Sequence, residues 1–285
     1  MLDVRKLRLL RELAHRGTIA AVATANAYTP SAVSQQLTGL EREAGAALLT
    51  RTGRRVELTP AGRVLVAHAE EVLAALERAT AAVAATRTGL TGPLRIGAFP
   101  TAMRTLLPPA LVAVASAHPG LELSVEELDP AAVPPKLRDG TLDVALVHDY
   151  DLVPIEADPS LETSPLRDET IFVAARSALT LPECRDHQWI LATPGTLCHA
   201  MTIRVCGAAG FTPRARHHAD DFATVLAFVA AGQGVALVPE LAADPLPAGV
   251  VLTPLPTRRR TRLAYRAGTA THPAVAAFAA ALVSG

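Results

Sequence analysis

Cys198 and Cys206 stand eight residues apart, with His199 beside the first. A thiol pair next to an imidazole is a pattern for redox or nucleophilic sulfur chemistry. The spacing works against it. Eight helical residues rise about 12 Å, farther than a disulfide spans without unfolding, so two small buried cysteines are the favoured reading. His217 and His218 are adjacent in a strand-like run and point to opposite faces, so they are poorly placed to share one metal. No Cys or His spacing resembles a zinc site, and no serine elbow, phosphate loop or metalloprotease motif occurs. The acidic pairs Glu126-Glu127 and Asp220-Asp221 alternate faces or crowd a helix start. Arg258-Arg259-Arg260 reads as a solvated basic run on a loop, with subunit contact as the alternative. Catalysis, metal and cofactor are therefore not expected.

Hydrogen-bonding residues cluster elsewhere, in TPSAVSQQL, Thr29 to Leu37. Thr29 suits a helix N-cap, and Pro30 at the first helical position sacrifices no hydrogen bond. Val33, Leu37 and Leu40 follow an i, i+4, i+7 stripe with Ala32 beside it, leaving Ser31, Ser34, Gln35 and Thr38 on the other face. An uncharged face of amides and short hydroxyls fits the major groove, where amides bond adenine and hydroxyls accept or donate. The elements before it suit that task. Leu2–His15 has helical apolar spacing and Gly17 stops it; Thr18 caps a second helix to about Ala25, and Asn26 suits a left-handed turn residue. Two short helices and a tight turn make a helix-turn-helix. Val56 and Leu58 then alternate around Glu57 in a small wing whose turn at Thr52-Gly53 carries Arg51, Arg54 and Arg55, cations suited to phosphates.

These residues together resemble the LysR-type transcriptional regulators. The match runs through Gly17-Thr18, Thr29 to Leu37, Leu40-Glu41, Arg51-Thr52 and Val56 to Gly62, and the resemblance continues along the chain. It departs at Asn26, where a buried leucine is usual, and at Leu49, where an aromatic is usual. The resemblance implies a dimer on an interrupted inverted-repeat operator, a small-molecule effector and, commonly, tetramers built as dimers of dimers. RNA polymerase is a further candidate partner. A peroxide-sensing branch of the family carries a redox cysteine pair in the general region of Cys198 and Cys206.

From the Thr59-Pro60 opening to about Arg87 nothing breaks a helix. Leu65, Ala69, Val72, Leu76, Ala79 and Val83 form a heptad-like seam, for which a second copy of the same helix is the natural partner. TGLTGP, residues 88–93, ends it. Strands and helices then alternate: strands at 94–99, 121–128, 142–147, 170–175, 189–192, 214–218, 234–239 and 262–267, with helices near 133–138, 196–209, 221–231 and 273–283. That order predicts a parallel α/β sheet. The expected fold class is α/β with an N-terminal, all-α winged helix-turn-helix. The resemblance implies two periplasmic-binding-protein-like (type 2) lobes crossed near Thr163–Pro165 and Leu263–Ala267. The expected division is a DNA-binding domain at 1–59, a dimerisation helix and hinge at 60–92, and an effector domain at 93–285. Lobe I would hold 94–164 and 265–285, and lobe II 165–264.

Ligands in such sheets bind beyond the carboxyl ends of strands. That places Thr101 (a potential helix cap) and Ala102 after the first strand, and His148 and Asp149 after the third. Thr193 and Thr196 would precede one helix, and Phe222 would open another. All seven are candidate effector contacts, with loop caps and turns as the plainer reading.

Charge distribution agrees. The chain is neutral overall, but residues 1–59 carry nine Lys/Arg against five Asp/Glu and residues 93–285 carry 15 against 19. A basic head on an acidic body suits nucleic acid. The excess of arginine over lysine, 25 to 2, extends over the whole chain and reflects base composition. Arg5, Lys6, Arg8 and Arg11 interrupt any secretory apolar segment, and charges such as Glu70, Glu71 and Arg78 interrupt the alanine-rich 64–86 stretch, so a soluble cytoplasmic bacterial protein without a membrane span is expected. Three cysteines fit a reducing compartment. The rival reading is a solute receptor or enzyme on the same two-lobed fold, which would have no use for residues 1–59.

Overall fold

The computed structural model describes residues 1–52, 55–154 and 157–284, with the backbone alone at 51, 52, 55 and 284. Two compact units result. Met1–Arg87 with Arg266–His272 forms the first, and Thr88–Tyr265 with Pro273–Gly285 the second.

In the first unit, α1 (Val4–Arg16) starts on the Asp3 side chain, which accepts from the Arg5 N–H, and stops at Gly17 in the left-handed region (φ 74°). Thr18 caps α2 (Ile19–Ala25) by accepting from the Ala21 N–H. Thr29 caps α3 (Pro30–Ala44) by accepting from the Ala32 N–H, with Pro30 in the first turn. Leu7, Leu10, Leu13, Val22, Val33, Leu37, Leu40 and Leu48 close one core between these helices. The turn differs from expectation. Asn26 is not left-handed (φ −108°); its Nδ2 donates back to the Val22 carbonyl, and Ala27 takes the left-handed place instead (φ 54°). An alanine there costs about 1–2 kcal/mol, offset in part by the Tyr28 N–H bond to the Ala23 carbonyl at 2.9 Å.

The wing is β1 (Leu49–Thr52) paired antiparallel with β2 (Arg55–Leu58), Leu49 opposite Leu58 and Thr52 opposite Arg55. Arg54 lies outside the described residues, as do the side chains of Arg51 and Arg55. The long helix α4 (Pro60–Ala85) opens on Thr59, which accepts from the Gly62 N–H, and ends two residues before Arg87. Only part of the expected seam is covered. Ala69 is buried and Leu65 packs on the head core, whereas Val72, Leu76 and Val83 are 40%, 44% and 68% exposed. A buried ion network ties α1 to α4: Glu70 meets His15 at 3.2 Å and Arg11 at 3.8 Å, and Glu12 bridges Arg11 and Arg16.

The second unit runs β3 (Thr91–Ala98), α5 (Pro100–Thr105), α6 (Leu107–Ala117), β4 (Gly120–Glu127), α7 (Val133–Arg138), β5 (Val144–Tyr150) and β6 (Leu161–Ala175). It continues through β7 (Gln188–Leu191), α8 (Leu197–Ala208), β8 (Arg214–His218), α9 (Phe222–Ala230), β9 (Ala236–Pro239), β10 (Val251–Arg266) and α10 (Pro273–Ser284). The sheet is mixed, not parallel throughout. In the order β4-β3-β5-β10-β6-β9, β3 is parallel to β4 and β5, while β10 runs antiparallel to β5 and β9 antiparallel to β6. The reversal arises because β10 is one unbroken strand that returns from the second half of the unit into the first. β6 is equally continuous, so the segments Thr163–Pro165 and Leu263–Ala264 lie inside strands, and Ser164 and Tyr265 hydroxyls meet at 2.6 Å.

One core packs α5, α6 and α10 on β3, β5 and the end of β10, around Ile96, Leu107, Leu146 and Phe278. Others gather Trp189, Met201, Val205 and Leu237, and Val225, Leu226 and Val238, around β6, β7, β9, α8 and α9. The long strands thread both regions.

Gly62 has no room for a side chain, because a Cβ would collide with the Leu48 carbonyl oxygen, itself the acceptor of the Thr59 N–H. Gly62→Ala is expected to destabilise the head by about 1–3 kcal/mol, read as a lower midpoint in denaturant unfolding followed by helical circular dichroism.

Candidate functional site

Two sites take shape. On α3, the residues facing away from the core remain accessible: Thr29, Pro30, Ser31, Gln35 and Thr38 are exposed and Ser34 is half-buried. The Thr29 hydroxyl is already engaged as the cap and meets Ser31 Oγ at 3.0 Å, while Gln35 and Thr38 are exposed farther along the helix. Opposite them Val33, Leu37 and Leu40 are essentially inaccessible. The helix thus presents an uncharged polar face on a rigid apolar base.

The second site is a cavity of about 220 Å³ in the α/β unit. It collects Phe99 from just after β3 and Thr101 from the first turn of α5, Asp129 and Pro130 after β4, and His148 from β5. From the other half come Thr196, Cys198, Asp220 and Phe222, and β10 supplies Arg259. Thr101, His148, Thr196 and Phe222 among the expected effector contacts therefore converge. The others do not line it. Ala102 is buried inside α5. Thr193 stands one step back, donating its N–H and hydroxyl to the Asp220 carboxylate at 2.7 Å each. Asp149 faces a neighbouring cavity of about 290 Å³ and is paired with Arg260 and Arg262.

Three expectations about these residues need correcting. Thr101 is no cap: Pro100 starts the helix, Phe99 occupies the cap position without a side-chain bond, and Thr101 is buried in the first turn. His148 and Asp149 lie within β5, which runs on to Tyr150 because Arg259, Arg260 and Thr261 pair with Tyr150, Asp149 and His148. Arg258-Arg259-Arg260 is strand, not loop. Pleating sends Arg258 and Arg260 outward to Asp168, Asp149 and Asp151, while Arg259 turns inward and is 0% exposed.

Arg259 is the one arginine or lysine among the described residues that line the cavity. Its Nη2 sits 2.6 Å from Oε1 of Glu169, also fully buried, and its guanidinium lies 5.0 Å from the Phe99 ring centre. Among the described residues none of its three nitrogens makes a well-aligned hydrogen bond. Burial pushes the Glu169 carboxyl up despite the neighbouring cation. Phe99 meets His148 edge-on at 4.6 Å, and His148 meets Tyr150 at 5.3 Å. Both His148 nitrogens lack a partner among the described residues, and burial, helped by Arg259, holds its pKa well below the usual imidazole value.

The sulfur chemistry is muted. The Cys198 thiol lies 3.2 Å from the Tyr150 hydroxyl, and burial raises both groups. Cys206, in the last turn of α8, is buried and pushed up to about 12, and Cys184 to about 11. His217 stacks edge-on with Phe228 and His218 meets the Ala192 carbonyl, so the pair diverges. Among the described residues no group of three His, Cys, Asp or Glu could hold a metal, and no helix is long and apolar enough to cross a membrane.

Comparison with known proteins places this architecture. Residues 4–63 match the bacterial regulatory helix-turn-helix protein family of lysR type, and residues 87–285 match the LysR substrate binding domain. The chain belongs to the LysR family of transcriptional regulators. It is 31% identical over 304 residues to a probable hydrogen peroxide-inducible genes activator of Streptomyces viridosporus, covering 98% of this chain and 96% of that protein. A hydrogen-peroxide-bound Corynebacterium glutamicum OxyR mutant superposes with a TM-score of 0.58 at 29% identity, covering 100% of this chain and 92% of that one. The LysR family regulator CbnR, in complex with its target DNA, shares the fold at 22% identity and a TM-score of 0.56, over 99% of each chain.

The buried His148 makes folding pH-dependent. The unfolded chain takes up a proton near pH 6.5 and the folded one only well below it, so stability is unaffected above that value and is lost as pH falls beneath it. Between pH 7.5 and 5.5, His148→Phe is expected to lose about 1 kcal/mol less stability than the wild type, measured by urea unfolding at each pH.

Proposed function

We propose that the chain is a cytoplasmic, non-catalytic regulator that grips an interrupted inverted repeat as a dimer and alters transcription when a small molecule occupies the cavity around Arg259. Gln35, Thr38, Ser34 and Ser31 read base edges. Arg51, Arg54 and Arg55 anchor to phosphates through the wing. The observation that carries this reading is α3 itself: a capped helix, immovable on its apolar side, offering uncharged amide and hydroxyl groups on the other. Exposed Val72, Leu76 and Val83 supply the seam by which two α4 helices pair, and such dimers join into tetramers. The residue division 1–59, 60–92 and 93–285 follows these roles. A ligand shifts the populations of two arrangements of the effector domain, and the heads respond through α4.

A second reading draws on the peroxide-inducible relatives and on Cys198, whose thiol lines the cavity. Burial raises the pKa of that thiol and of Cys206, keeping both protonated, so reversible ligand binding is favoured over thiol oxidation.

Gln35→Ala should weaken binding to the chain's own operator by about 1–3 kcal/mol while leaving non-specific DNA affinity nearly unchanged, as measured by fluorescence anisotropy with specific and scrambled duplexes. Equal loss on both duplexes would show that Gln35 does not read sequence. Leu76→Glu should release monomers in multi-angle light scattering; an unaltered assembly would place the interface elsewhere.

A further inference from the structure

We infer that the cavity ligand is a small zwitterion of the α-amino-acid class, its carboxylate received by Arg259 and His148 at the floor and its ammonium by Asp129 and Asp220 at the mouth. The inference rests on the reading of this cavity as the effector site and specifies the chemistry that fills it.

Depth sorts the charges. Arg259 and His148 are inaccessible, whereas Asp129 and Asp220 are exposed at their positions on the cavity wall. Arg259 offers Nε, Nη1 and Nη2 without a well-aligned acceptor, and both His148 nitrogens are likewise unpartnered among the described residues. Buried donors left in that condition are costly; the neutral His148 ring offers one N–H, and a forked guanidinium is matched by a carboxylate accepting two parallel N–H bonds. Glu169, 2.6 Å from Nη2, and the Tyr150 hydroxyl both act on Arg259, yet neither is aligned on a second N–H of the fork, so a carboxylate accepting two parallel bonds still adds hydrogen bonds there.

At the mouth a simple anion meets opposition. Asp129 and Asp220 come from opposite halves of the unit, with Glu127 nearby. Asp129 Oδ1 accepts from the Ala131 N–H, and each Asp220 oxygen accepts once from Thr193, which leaves lone pairs on both carboxylates for an ammonium group. All three charges act on one spot: the Cys198 thiol senses Arg259 in one direction and Asp129 and Asp220 in the other. A ligand in this cavity therefore meets one cation and two anions on its walls. Phe99, Leu128 and Phe222 provide apolar wall for its remaining body. The volume, about 220 Å³, falls below the range of roughly 300–1,000 Å³ that holds drug-sized ligands.

The test uses calorimetric titration of the full-length protein with each of the twenty common L-amino acids. Any that binds is followed by its deaminated carboxylic acid and its decarboxylated amine. At least one amino acid should bind, and removal of either charged group should weaken it ten-fold or more. Asp220→Asn should weaken the amino acid ten-fold or more but change the deaminated acid less than three-fold. Because Arg259→Met alone strands Glu169 and can prevent folding, the floor is tested in Arg259→Met/Glu169→Gln, which should bind none of the three compounds. Equal affinity for the deaminated acid or for the amine overturns the inference, as does a failure of all twenty amino acids to bind. The effector reading is judged separately with Ala192→Trp, which fills the cavity. If that variant changes expression from the chain's own promoter while no amino acid binds, the site stands and only the ligand class is wrong. An unchanged response removes both.

Discussion

A guanidinium with no access to water must be compensated, and around Arg259 that requirement shapes the α/β unit. Its countercharge, Glu169, comes from β6 and its aromatic floor, Phe99, from the end of β3. Removing one member of such a pair costs about 3–5 kcal/mol, because the survivor is left charged in a poor solvent. The pair therefore holds together three segments that are far apart in sequence. β6 and β10 are also the strands that pass unbroken between the two groups of cores, so the charge sits where those groups share a backbone.

The DNA-facing head obeys a simpler rule. Its helices begin where a threonine or aspartate can accept from the first-turn N–H groups, and α1 and α3 end where Gly17 and Gly45 tolerate a left-handed backbone. These are local decisions, and Thr18, Thr29, Thr59, Gly17 and Pro30 announced them in the sequence. The one local misreading has a local cause. Asn26 has the side chain for a left-handed residue, yet that side chain does more by closing on the Val22 carbonyl, and the strain moves to Ala27.

Legibility fell where partners are distant. Thr101, His148, Thr196 and Phe222 line one cavity, and they were legible as its lining because strand ends and helix starts mark a crevice in any α/β sheet. Arg259 was missed because three consecutive arginines look solvated. The signal for it is period two: Thr257, Arg259, Thr261 and Leu263 are all buried, while Arg258, Arg260 and Arg262 between them are not. Even so, nothing near residue 259 names Glu169, ninety positions earlier. His148 and Asp149 were placed past the end of a strand because β5 is extended by pairing with β10, a contact between chain segments about 110 residues apart. The parallel sheet was expected for the same reason, since alternation of strands and helices does not reveal that β10 returns in the opposite sense. The apolar spacing on α4 was legible, although its first positions, Leu65 and Ala69, serve the head's own core.

The account stands on coupling between an enclosed charge and a DNA-reading helix. The most direct measurement is a nuclease footprint of the full-length protein on its own promoter, made first after small molecules have been stripped by partial unfolding and dialysis. It is then repeated after the stripped fraction is returned. The account predicts that the protected boundary or the hypersensitive positions shift on return, and that they do not shift in the Arg259→Met/Glu169→Gln protein. Identical footprints from the stripped and replenished wild type, with operator binding intact, would contradict it.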